Sequence, residues 1–88
     1  MTAEAILEVF TRILRDLLSD DTIVLAMTTR RDEVPNWDSL SYVTFIAAIE
    51  MELGVRFGVA EVESFDSVGA IVTRTGELLP PSPLPLRA

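Results

Sequence analysis

Asp38 and Ser39 are the pair of residues with the most chemical potential in this chain, because they stand where a turn runs into a long apolar stretch. Pro35 lacks a backbone donor and pushes Val34 into an extended conformation, so no helix runs through this point. Asn36 continues the turn, and Asp38 is of the type that caps the amides of a following helix. From Leu40 to Leu53 the sequence has neither Gly nor Pro and is rich in apolar residues, which predicts a helix. Ser39 therefore sits at a helix mouth, where free N–H groups and the macrodipole favour an attached or bound anion. A serine in that place also serves simply as a cap, and the pattern by itself leaves both roles open. Enzymatic chemistry has little to work with. The chain has no histidine and no cysteine, so Ser-His-Asp, Cys-His and His-based or thiolate metal sites are excluded. A self-contained hydrolase is not expected.

The elements that must hold this motif come from one small domain. At 88 residues, folding buries only roughly 60–65% of the unfolded chain's surface. No disulfide supplements the core, so the 49% of hydrophobic residues must supply it. No apolar run approaches the ~20 residues of a membrane span, and the start lacks the basic segment of a signal peptide. A cytoplasmic protein, without membrane insertion, is the expectation. Fourteen acidic residues against seven arginines give a net charge of −7. Such a surface repels nucleic-acid phosphates and suits partners with basic patches.

Along the chain, Ile6, Leu7, Phe10, Ile13, Leu14 and Leu17 recur at spacings of three and four, which predicts a first helix over residues 3–18 with Thr2 as its cap and Asp20-Asp21 at its end. Glu4, Glu8, Arg12, Arg15 and Asp16 fall on the opposite face, with Glu8–Arg12 and Arg12–Asp16 as candidate i,i+4 pairs. Residues 19–37 read as a long loop. Its apolar part, 23–27, could be a strand, but no second strand is there to pair with it, so it is expected to lie across the bundle. The polar part, 28–33, is expected in solvent. In the second helix Tyr42, Phe45, Ile46, Ile49 and Leu53 share the core side, with Val43 beside them. Leu40, Thr44, Ala47 and Met51 form a second stripe, almost uncharged, which in so small a domain reads as a contact surface. Gly54 is a C-cap candidate, and the alternation of Val55, Phe57 and Val59 with Arg56 and Gly58 predicts an extended segment that drops Phe57 into the core. Residues 61–65 read as a short helix. Asp66 or Ser67 then caps a last helix with Val68, Ile71, Val72, Leu78 and Leu79 inward, weakened by Gly69 and Gly76. Four prolines make residues 80–88 a non-helical, disordered tail beyond a domain of residues 1–79. The fold class expected is all-α, a bundle of three longer helices and one short one.

Asp38-Ser39-Leu40 at the head of a helix, in an acidic chain with an amphipathic first helix, a long loop, Glu50 near the helix end and then Gly54-Val55-Arg56-Phe57, resembles the acyl carrier protein family. The resemblance runs from Thr2 to Leu79. It implies that Ser39 carries 4′-phosphopantetheine, taken from coenzyme A by a separate phosphopantetheinyl transferase. The protein would then be no enzyme but a tether for thioester-linked acyl intermediates, presented to acyl-loading and acyl-processing enzymes at raised effective concentration. Asp38 would orient the helix end, and the inner residues of the second helix would shelter the acyl chain. Trp37, Leu40, Thr44, Ala47, Glu50 and Met51 would meet partners, with Glu50 and Glu52 as a charged rim. The expected protein is a monomer serving fatty acid, polyketide or related lipid biosynthesis.

Two departures refine this. Housekeeping fatty-acid carriers show several outward carboxylates on the recognition helix, whereas Thr44, Ala47 and Met51 occupy that place here. Trp37 looks more like stand-alone carriers of specialised pathways, and the glycines usual before the serine of peptidyl carriers are missing. An aminoacyl carrier of the D-alanyl type shares the Asp-Ser pair and is the nearest alternative. The rival from another class is an unmodified acidic interaction module that docks through its uncharged stripe.

Overall fold

The computed structural model describes residues 1–79; the expected proline-rich tail, 80–88, lies outside them. Helix α1 spans Ala3–Leu18, and Thr2 caps it by accepting the Ala5 amide at 3.1 Å. It ends at Ser19, one residue before the aspartates expected to stop it, because Ser19 takes the left-handed conformation at φ 52°. Ile6, Phe10, Ile13 and Leu14 are buried, while Leu7 and Leu17 pack at the edge. The i,i+4 pairs expected on its outer face do not form. Arg12 instead pairs with Glu52 on the second helix, and Arg15 donates through Nε to the Ile23 carbonyl at 2.7 Å. Exposed i,i+4 pairs contribute only a few tenths of a kcal/mol, so the Glu52 carboxylate on the second helix competes easily for Arg12.

The loop over residues 19–38 contains no strand. Ile23 and Leu25 are buried with Val24 exposed between them, so the strand-like alternation is used to lay the chain on the core. A short 3-10 turn, Arg31–Glu33, follows. The polar part of the loop is not simply solvated. The Met27 and Thr29 carbonyls accept the amides of Gly69 and Val68 at 2.7 and 2.8 Å, which are among the amides that a helix start leaves without partners.

Helix α2 spans Ser39–Leu53, buries Tyr42, Phe45, Ile46 and Ile49, and closes at Gly54 with φ 69°. Helix α3, Val59–Ser64, begins two residues before the expected short helix, since the Glu61 carboxylate takes the Gly58 amide at 2.7 Å and fixes the entry. Helix α4, Val68–Leu78, is capped by Ser67, and α1 packs against both α2 and α4. Phe57 is not the core plug that its alternation suggests. Val55 is the deeply buried residue of that segment, while Phe57 is half-buried and packs edge-on against Phe65 at 5.7 Å. Thr75, in contrast, is fully buried and donates its hydroxyl to the Ile71 carbonyl at 2.7 Å.

The two glycines of α4 differ in kind. A Cβ on Gly69 would stand 2.5 Å from the Met27 carbonyl oxygen, whereas one on Gly76 would meet Ile6 at an ordinary 3.7 Å. Gly76→Ala should therefore stabilise by up to about 1 kcal/mol. Gly69→Ala should destabilise by about 1–3 kcal/mol through overpacking, despite the better helix propensity. Urea unfolding of the two variants tests this; equal gains would remove the close approach at Gly69.

Candidate functional site

The site is built by the turn over residues 34–38 and the first turn of α2. Asn36 adopts φ 69°, a left-handed conformation that asparagine tolerates. This aims the chain so that Asp38, still extended, accepts the Ser41 amide on Oδ1 at 3.0 Å. The Ser41 hydroxyl is drawn into the same knot, 3.0 Å from the Asn36 carbonyl and 3.0 Å from Asp38 Oδ1. Ser39, by contrast, is exposed and its hydroxyl has no hydrogen-bond partner among the described residues. The bonds from the Ser41 amide and then its hydroxyl hold the Asp38 carboxyl below the usual carboxylate range. A depressed folded value means that the cap is complete above the ordinary aspartate pKa and is lost as pH falls through the lowered one. The Ser41 amide resonance should accordingly titrate with a midpoint below that of an unstructured aspartate; a midpoint at or above it would break the assignment of the cap.

Trp37 is where the structure departs most from the sequence reading. Expected on the partner surface, it is only 5% exposed and lies beneath the motif, ring to ring with Phe45 at 5.1 Å and with Tyr42 at 6.1 Å. An indole is too large an apolar body to leave in water when the helix start offers two aromatic neighbours. Glu50 is also diverted. The chain reverses at Gly54, bringing the Phe57 amide to the Glu50 carboxylate at 2.9 Å, and Glu52 is taken by Arg12. Both carboxylates of the expected rim thus hold the fold together. Leu40 and Met51 are 78% and 86% exposed, and Thr44 and Ala47 are exposed between them. Thr44 spends its hydroxyl on the Leu40 carbonyl at 3.0 Å, so this face of α2 is uncharged.

Beside Ser39 opens a groove of about 480 Å³, walled by Trp37 and Tyr42 from the motif side and by Phe65, Val68 and Ile71 from the far side. The inner side of α2, expected to form a shelter, contributes Tyr42 to this groove, and half of the lining comes from α3, α4 and the turn between them. Tyr42 links the two walls by donating its hydroxyl to the Val62 carbonyl at 2.6 Å, and burial pushes its pKa up, with Arg31 opposing. The Arg31 guanidinium lies over the Tyr42 ring, 4.6 Å from its centre. Neither Arg31 nor the groove-lining residues of α4 could be singled out from spacing, since all of them meet only through the tertiary fold. Among the described residues no cluster of His, Cys, Asp or Glu could hold a metal ion, and no helix is long and apolar enough to cross a membrane.

The family model of the phosphopantetheine attachment site matches residues 37–75, the stretch that contains the motif, the groove walls and most of α4. Among solved structures, the chain is similar to the holo acyl carrier protein from Geobacter metallireducens, at 29% identity and a TM-score of 0.76, covering 82% of this chain and 83% of that one. No curated protein matches the chain. Fold and match define a non-catalytic carrier with a covalently attached 4′-phosphopantetheine arm. Model and structure together support a member of the acyl carrier protein family, and a carrier domain implies modifying and acyl-processing enzymes as partners. The residues present fit the group: the N-terminus of α2 would receive the phosphate charge, and an open groove adjoins it.

Proposed function

We propose that Ser39 bears the 4′-phosphopantetheine arm and that the protein carries acyl intermediates of fatty acid, polyketide or related lipid biosynthesis. The observation that supports Ser39 is the contrast within one helical turn: the Ser41 hydroxyl is tied to Asn36 and Asp38, and the Ser39 hydroxyl is exposed with nothing to release it from. Asp38 holds the first turn of α2 closed, so the amides that face the phosphate are already in place before modification. The terminal thiol of the arm, when present, supplies the thioester. Leu40, beside the attachment point, is exposed to whichever enzyme docks there. Residues 1–79 form the carrier domain, acting as a monomer in the cytoplasm. Intact mass after incubation with coenzyme A and a broad-specificity phosphopantetheinyl transferase tests the reading. A mass that does not change would return the protein to an unmodified interaction module.

Docking follows from the uncharged face of α2. Exposed ion pairs are worth roughly 0–1 kcal/mol and are screened by salt, whereas burying the Met51 side chain contributes about 1.5–3 kcal/mol with little salt dependence. Met51→Glu should weaken the cognate partner while improving interaction with enzymes that serve ordinary fatty-acid carriers. Titrations at low and high salt check this; parent affinity that collapses at high salt would overturn it.

A further inference from the structure

The groove beside Ser39 is charged unevenly. Its loop wall carries Arg30, Arg31 and Asp32, while Glu63 and Asp66 stand on the wall formed by α3 and the turn after it. Arg30 lies 3.8 Å from the Asp32 carboxylate, so those two charges largely answer each other. Arg31 then gives the loop wall its net positive charge. In pairing with no carboxylate among the described residues it is like Arg15 and Arg56. What sets it apart is its place. Its guanidinium rests on the Tyr42 ring, 4.6 Å from the centre, in a groove that Ser39 also lines. Tyr42 follows Ser39 by three residues on α2, so their Cβ atoms are about 5–6 Å apart on one face of the helix. The stacked cation thus stands on the order of 10 Å from Ser39, about one Debye length at 0.1 M salt.

We propose that Arg31 is a positioning residue for the phosphodiester on Ser39, drawing that anionic group toward the loop wall of the groove and away from Glu63 and Asp66. This rests on the carrier reading above. A phosphodiester keeps one negative charge through the neutral range, and the rest of a pantetheine arm is uncharged, so the phosphodiester is the part that a local field steers. Resting on the Tyr42 ring, the guanidinium gives up less side-chain freedom on meeting an anion than a free arginine does. No other arginine lining this groove is unpaired, and Arg74 on α4 is engaged by Glu61 and Glu77. Tyr42 is buried, whereas Leu40 and Thr44 are exposed on the other side of α2. A phosphodiester drawn toward Arg31 therefore starts the arm on the groove side and leaves the uncharged face clear for docking.

The test compares apo and holo forms of the parent, Arg31→Gln and Arg31→Lys, with intact mass as the check on modification. Arg31 is exposed, so the variants should fold. Exposed ion pairs are weak and screened by salt. At about 10 mM salt, the change in Tm from apo to holo should be about 1–4 °C more favourable in the parent than in Arg31→Gln. Arg31→Lys, which keeps the charge, should restore most of that difference. The difference should vanish at about 1 M salt, where the Debye length falls to ~3 Å. In phosphorus NMR, the phosphodiester resonances of parent and Arg31→Gln should differ at low salt and converge at high salt. A purely structural role for Arg31 would shift apo and holo forms alike. The same apo-to-holo change in parent and Arg31→Gln, a difference undiminished at high salt, or a phosphorus resonance indifferent to the substitution would each overturn the proposal. Failure of every form to gain the arm would overturn the carrier reading, and this inference with it.

Discussion

Ser39→Ala protein is expected to fold like the parent and yet gain no mass from coenzyme A and a phosphopantetheinyl transferase. The loss should be complete, because the substitution removes the only atom to which the arm is bonded in this reading. The fold should tolerate it. Ser39 is exposed, its hydroxyl bonds to no described residue, and the cap of α2 is provided by Asp38, so the change belongs with surface substitutions worth within about 0.5 kcal/mol. Ser41→Ala is the informative control. It removes a hydroxyl that bonds Asn36 and Asp38, so it should cost about 0.5–1.5 kcal/mol and leave the mass increment intact. An increment that survives Ser39→Ala, or that is lost with Ser41→Ala in a folded protein, would move the attachment site.

The largest loss of stability is expected from Phe45→Ala. Phe45 is fully buried and meets Phe10 at 5.5 Å and Trp37 at 5.1 Å, both edge to face. Truncating such a phenylalanine costs about 3–5 kcal/mol, and a small domain can have as little as roughly 5 kcal/mol in total. The variant should be largely unfolded by far-ultraviolet circular dichroism in dilute urea. Phe57→Ala makes the comparison sharp. That ring is half-buried against Phe65, so it should cost no more than about 3 kcal/mol and leave a folded protein. If Phe57→Ala proved the more damaging, the core would be centred on the Phe57–Phe65 pair rather than on Phe45.

Helix-level features of this fold were legible because they depend on neighbours three and four residues away. The period of Ile6, Phe10, Ile13 and Leu14 and the Thr2 cap delimit α1, and the Gly- and Pro-free run ending at Gly54 delimits α2. Loop features were not legible, for a physical reason. Nothing local says whether Trp37 points inward, since loops have no period; its burial is decided by Phe45 and Tyr42 on the helix that follows. Alternation after Gly54 gave the parity of Val55 and Phe57 but not their depth, which depends on what packs over them. Glu50 looked like a surface charge because its partner, the Phe57 amide, reaches it only after the chain reverses. Within the motif, the sequence offers two serines two apart, and only the direction of the Asp38 carboxylate distinguishes the tied one from the free one.

The bonds from Val68 and Gly69 to the Thr29 and Met27 carbonyls couple the long loop to the first turn of α4. Were the loop to lift, two helix-start amides would lose their acceptors together, so fluctuations of one should be timed to fluctuations of the other. In native-state hydrogen exchange the Val68 and Gly69 amides would then open with the loop segment around Met27 rather than with the rest of their own helix. Because Val68 also walls the groove beside Ser39, the same event would widen that groove.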